Sequence, residues 1–224
     1  YSVNLLSRAE TTFGGGGHPD IVEVNSPVSA ATGASSVTMF DGSSAMIGNP
    51  AALTKLKKSA FQVGVSAALI SEERLYESKL SYDNAQNYPN PLRTQSAIVR
   101  YQKFVGGISR GLVGDYTFKD ERRVDKKDPK SDLITIKNTG GLYMFSGHLA
   151  TEVVPKLSVG GSLNLLRGSG ELEYLKKGKT SNGSTGEFSE DSGVSITLGG
   201  SYQVHDKVNL AAAYRSGTEI KMKL

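Results

Sequence analysis

The chain has 224 residues, is 38% hydrophobic, carries 26 basic against 22 acidic side chains for a net charge of +4, and contains 26 glycines but no cysteine or tryptophan. Without cysteine it can hold neither a disulfide framework nor a thiolate metal site, and its compartment is left open. No run approaches the roughly 18 to 20 apolar residues of a membrane helix, which excludes a helical membrane protein but not a β-barrel, whose strands alternate over about ten residues.

Residues 1–57 read as an irregular arm. The run from Gly14 to Gly17 lacks the Lys-Ser/Thr of a phosphate loop and reads as a hinge. A Ser, Ala, Thr and Gly-rich stretch follows, in which Ile21, Val24, Val37, Phe40 and Ile47 recur, so another part of the fold must cover it. The arm ends at Asn49-Pro50-Ala51, which predicts one helical turn near 50–56. Asn49 is its N-cap and Pro50 its first helical residue, where a missing N–H costs nothing.

Beyond Lys58 the apolar period becomes two. Phe61, Val63 and Val65 alternate with Gln62, Gly64 and Ser66. Val194, Ile196, Leu198, Tyr202 and Val204 likewise oppose Ser195, Thr197, Ser201 and Gln203. Seven strands are predicted, near 59–72, 95–102, 104–118, 132–154, 157–175, 192–204 and 207–224. The third carries Gly106, Gly107, Gly111 and Gly114, a density that predicts a bulge or kink. Short turns fall at Pro155-Lys156 and His205-Asp206. The connections at the other rim, about 71–95, 119–131 and 176–191, are long and polar. Long alternating strands with short turns at one rim and long loops at the other predict a transmembrane antiparallel β-barrel, since strands of a soluble sandwich average about 5 or 6 residues.

No catalytic constellation appears, and the reading is of a protein that is not an enzyme and has no cofactor. His18, His148 and His205 share no spacing that suggests a metal. The basic clusters near 119–130 and 176–179 are interleaved with acids and lack aromatic partners, which argues for solvated loop tips and against nucleic acid. Register places Leu142, Met144 and His148 on one inward face. It also sets Arg215, Glu219, Lys221 and Lys223 opposite Val208, Leu210 and Tyr214. These inward residues are candidates to line a lumen, with Arg215 and Lys221 able to meet a carboxylate or to pair with the arm. Tyr76, Tyr82, Tyr88, Tyr101, Tyr116, Tyr174, Tyr202 and Tyr214 fall near strand ends, as interfacial belts would place them.

Four ordered stretches then carry a resemblance: 41–53 (DGSSAMIGNPAAL), 157–173 (LSVGGSLNLLRGSGELE), 193–204 (GVSITLGGSYQV) and 210–216 (LAAAYRS). Together they resemble the FadL/TodX family of outer-membrane transporters for long-chain fatty acids and other hydrophobic compounds, over about residues 30–224. The resemblance implies a fourteen-stranded barrel in the outer membrane of a Gram-negative-type bacterium, plugged by an N-terminal hatch and opened sideways at a kinked third strand. Residues 1–57 would be the hatch, Asn49, Pro50 and Ala51 its gate, and 58–224 strands one to seven. Gly106, Gly107, Gly111 and Gly114 would then supply the kink. Fatty acids, detergents and membrane lipid are the implied partners. Seven strands are half of such a barrel, so the chain reads as an N-terminal half. The 176–191 loop is shorter than the family's capture-groove loop. Two alternatives stand beside this reading: a structural or secretion-associated barrel that docks proteins, and a soluble β-sandwich binding module.

Overall fold

The computed structural model describes residues 20–21, 48–65, 69–76, 80–87, 92–123, 132–177, 182–190, 192–206, 208–219 and 222–223. The alternating segments form antiparallel strands, and one six-residue 3-10 helix spans Pro50–Lys55. In chain order the strands are β1 (Asp20–Ile21), β2 (Ala60–Val65), β3 (Leu69–Tyr76), β4 (Leu80–Asn87), β5 (Leu92–Tyr101), β6 (Phe104–Asp115) and β7 (Phe118–Arg123). They continue as β8 (Leu133–Val154), β9 (Leu157–Lys177), β10 (Asn182–Glu190), β11 (Gly193–His205), β12 (Val208–Arg215) and β13 (Met222–Lys223). No described helix is long and apolar enough to cross a membrane.

The wall is a meander ordered β12-β11-β9-β8-β6-β5-β2, which matches the seven strands expected from the alternation. At one rim its hairpins are tight. Gln102 and Lys156 take positive φ there, 52° and 74°, and Pro155 before Lys156 suits a type II turn, which fixes φ at its first central residue and needs φ > 0 at its second.

The connections at the opposite rim depart from expectation, because much of each is itself paired. β3 and β4 form a separate hairpin where 71–95 reads as loop, and the first wall strand ends at Val65 rather than near 72. β7 pairs with the upper part of β8, and β10 with the upper part of β9. The last wall strand stops at Arg215, and β13 instead pairs with β10. Polar sequence hid these extensions, since segments such as LSYDNAQN and FKDERR carry no apolar alternation.

Burial along the wall runs opposite to that of a soluble protein. On β11, Ser195 and Thr197 are 2% and 1% exposed, whereas the neighbouring Val194, Ile196 and Leu198 are 57%, 51% and 57% exposed. Phe61, Ile108, Leu163 and Leu210 are turned outward in the same way. Leaving a large aliphatic side chain in water forfeits roughly 1.5–3 kcal/mol, so a face made of many of them requires an apolar surrounding. A soluble sandwich would bury this face, and that alternative is set aside. The fold is all-β, an antiparallel barrel wall that is polar within and apolar without, matched to a lipid exterior.

An arginine placed in the middle of the outer face tests this polarity. Ile196→Arg should lower unfolding stability in lipid vesicles by roughly 2–4 kcal/mol. Thr197→Val, one residue away on the inner face, should escape that lipid penalty. Denaturant titration of both variants in the same vesicles gives the comparison.

Candidate functional site

The 3-10 helix lies against the inner face of the wall and is held at both ends. At its start Asn49 is extended (φ −144°, ψ 101°) and its Oδ1 accepts from the Ala51 N–H at 3.0 Å, the N-cap bond that Pro50 leaves room for. The same side chain reaches across the lumen face, its Nδ2 donating to the Gly200 carbonyl of β11 at 3.1 Å. At the other end Arg100, on the inward face of β5, donates from one Nη to the carbonyls of Thr54 at 2.9 Å and Leu56 at 2.6 Å. Those carbonyls belong to the helix end, where intrahelical partners run out. In the middle Thr54 Oγ1 donates to the Ala51 carbonyl and sits 2.7 Å from Ser158 Oγ of β9.

Small residues let the helix come this close. Gly160 of β9 and Gly199 of β11 are cross-strand partners, and Ala150 of β8 completes the row. A Cβ on Gly160 would lie 2.6 Å from the Ala51 nitrogen, and one on Gly199 would collide with the Asn49 side chain. Beside this flat patch Ala52 and Leu53 pack into Ile98, Val105 and Ala150, and all five are at least 98% buried.

Above the helix the inner wall carries a cross-strand polar ladder. His148 of β8 is flanked by Ser109 of β6, 2.8 Å from Nε2, and by Ser162 of β9, 2.6 Å from Nδ1. Asn164 Nδ2 donates to Thr197 Oγ1 at 2.9 Å and to Ser195 Oγ at 3.3 Å, and Arg215 Nε donates to Thr197 Oγ1 at 3.2 Å. Leu142 and Met144 share the inward side with His148, but they are buried, Leu142 against Tyr116, and not open to a lumen. Arg215 is inward but engaged with the wall. Lys221, His18 and nearly all of 1–47 lie outside the described residues, while Glu219 falls past the end of β12. Tyr116 is fully buried, packed on Leu142, and so belongs to no interfacial belt, unlike the exposed Tyr101 and Tyr214.

The glycine-rich strand does break its register. Its pairing with β8 shifts between Leu112 and Gly114, and its pairing with β5 ends at Gly111 opposite Thr94. Beyond that point its other edge is met by β1, with Ile21 opposite Gly114 and Asp20 opposite Asp115. Gly106 and Gly107 lie in the regular, paired part of the strand, so the irregularity falls beside Gly111 and Gly114 alone.

Sequence reasoning missed Arg100, Gly160 and Gly199. The two glycines had left a signal, the pairs Gly160-Gly161 and Gly199-Gly200 at corresponding heights in adjacent strands. Arg100 left none, since a basic residue near a strand end is ordinary.

No family model matches the chain, and no curated protein matches it significantly. Among solved structures it is similar to a CymD monoaromatic hydrocarbon channel, at 14% identity and a TM-score of 0.40, over 85% of this chain and 68% of that one. A likeness this weak carries nothing about what the chain does, which must be read from its own residues.

The clamp predicts an order of effects. Asn49→Ala should cost about 1 kcal/mol as a lost cap, and Arg100→Ala about 1.5–3 kcal/mol as lost charge-assisted bonds. Gly199→Val should exceed the first, because it pushes the helix off the wall rather than trimming it. Limited proteolysis near residues 48–57, read beside unfolding curves, should rank the variants in that way.

Proposed function

We propose that the chain is the plugged half-wall of an outer-membrane channel of FadL/TodX type, and that it passes hydrophobic compounds, long-chain fatty acids among them, without covalent chemistry. The observation that carries the reading is the clamped helix. A segment that follows an irregular arm is docked inside a wall whose exterior is apolar, at a patch kept free of side chains, by bonds to three separate strands. Such a contact fixes a plug to a barrel. Its few polar bonds, unlike a large apolar interface, can be exchanged for water when the plug shifts.

The break in β6 supports a sideways exit. Where the β5–β6 ladder stops at Gly111, the seam continues, among the described residues, through the two-residue β1. Moving the arm would withdraw that short pairing and open the seam to lipid. Leu142 and Met144, paired with Gly114 and Gly111, place buried apolar side chains beside it. Residues 1–57 are in this reading the hatch, residues 58–224 the first strands of the barrel, and the cell outer membrane its location.

The absence of native cysteine makes the gate testable. Thr54 and Ser158 face one another across the contact, their hydroxyl oxygens 2.7 Å apart, so cysteines at these positions offer a crosslink between helix and wall. Oxidised T54C/S158C channels in vesicles should take up a labelled long-chain fatty acid no faster than protein-free vesicles, and a reductant should restore uptake. Undiminished uptake through the locked form would sink the gating role of the helix. Absence of uptake in the wild-type protein would sink the transport reading.

A further inference from the structure

We propose that the outward face holds a site for one anionic membrane lipid, whose phosphate headgroup is bound by Arg110 and Arg167 and whose acyl chain lies in an apolar groove beneath them. The proposal rests on the reading that this face meets lipid.

Register defines the place. Gln95, Arg110, Phe145, Leu165 and Val194 form one cross-strand row on the outer face. It is the last row in which β8, β9 and β11 all present apolar side chains. In the next, Tyr143 of β8 stands opposite Arg167 of β9, and above them the outward positions of β9 are Ser169, Glu171 and Glu173. The two arginines therefore mark the border between the apolar band and the polar upper part of the wall, where lipid headgroups sit.

The Arg110 guanidinium is stacked on Tyr143 at 4.0 Å and reaches within 5.9 Å of the Phe145 ring. Stacking engages the flat face of a guanidinium and leaves its N–H fork free. Among the described residues neither Arg110 nor Arg167 has an ion pair or hydrogen bond; Arg110 has only its ring contacts. Two unpaired cations at the rim of an apolar face, flanking one tyrosine, call for an anion that arrives with its own apolar part. A guanidinium fork matches phosphate in a bidentate way.

That apolar part has a bed. A groove of about 690 Å³ runs across the outer face, with Arg110 on its rim. Its floor dips at Ala97 and at Gly147, above which a side chain would meet open space, and Ile108 and Leu163 stand beside the dips. From Phe61 on β2 to Val194 on β11 it crosses six strands, roughly 24 Å at 4.8 Å per spacing, a length suited to an acyl chain. A lipid phosphate fits better than a free fatty acid travelling through the lumen, since the groove lies outside the wall and two guanidiniums exceed what one carboxylate needs. None of Leu142, Met144, His148 or Arg215 borders it.

A single tryptophan can report on the groove, because the chain has none of its own. L163W protein, full chain in phosphatidylcholine nanodiscs, is doped with equal small fractions of dibrominated phosphatidylglycerol or dibrominated phosphatidylcholine. The anionic lipid should quench several-fold more strongly. R110Q/R167Q should make the two lipids equal, and R110K/R167K, which keeps the charge and controls for folding, should retain the preference. Equal quenching with both arginines present, or a preference that survives R110Q/R167Q, overturns the site. Quenching by neither lipid overturns the membrane reading beneath it, and a dimer in native mass spectrometry would then assign the face to a second copy of the chain.

Discussion

Everything in this molecule depends on one constraint, that between its bulges the strand period of two sorts side chains onto two faces with opposite solvents. Cross-strand pairing carries the sorting from strand to strand, so that a row beginning at Ser96 continues through Ser109, Ser146, Asn164 and Ser195, all buried. The parallel row through Ala97, Ile108, Leu163 and Ile196 faces out. A slip of one residue in any hairpin would exchange the faces for every later strand. The two-residue turns at Gln102 and Pro155 therefore matter beyond their size, since they hold the register on which the polarity of the wall rests.

The helix contact exploits the same sorting. Because rows are shared, one inward row can be made small across three strands at once, as Ala150, Gly160 and Gly199 are. A larger residue at any of these would hold the helix backbone away, and the Asn49 and Arg100 bonds would lengthen together. Apolar contact contributes little area here, since only Ala52 and Leu53 of the helix enter the small cluster. Specific hydrogen bonds set the position and the shape of the patch sets the distance.

Much of this was legible in the chain. Alternation marks the seven wall strands because each spends its central residues between two contrasting solvents, and Asn49-Pro50 marks the helix because capping is a local property of two adjacent residues. What escaped was non-local. Arg100 finds the helix end 44 to 46 residues away in sequence, a relation that no periodicity encodes. β3, β4, β7 and β10 escaped for the opposite reason: their sequences carry no apolar alternation for a period to reveal, and segments such as Phe118–Arg123 read as loop. The glycine cluster predicted a break in β6 but not its position, which depends on where β5 runs out.

That position links the two ends of the arm. Its described N-terminal piece, Asp20–Ile21, pairs at the break in β6, and its C-terminal end is clamped over β8, β9 and β11. The arm therefore meets the wall in two places, at the upper end of β6 and over the lower parts of β5, β6, β8, β9 and β11. Of the two, the described seam pairing is the smaller, with two residues in register against a helix held from three strands. On the gating proposed above, opening the seam asks only that a short pairing be easier to lose than a capped helix seated on glycine.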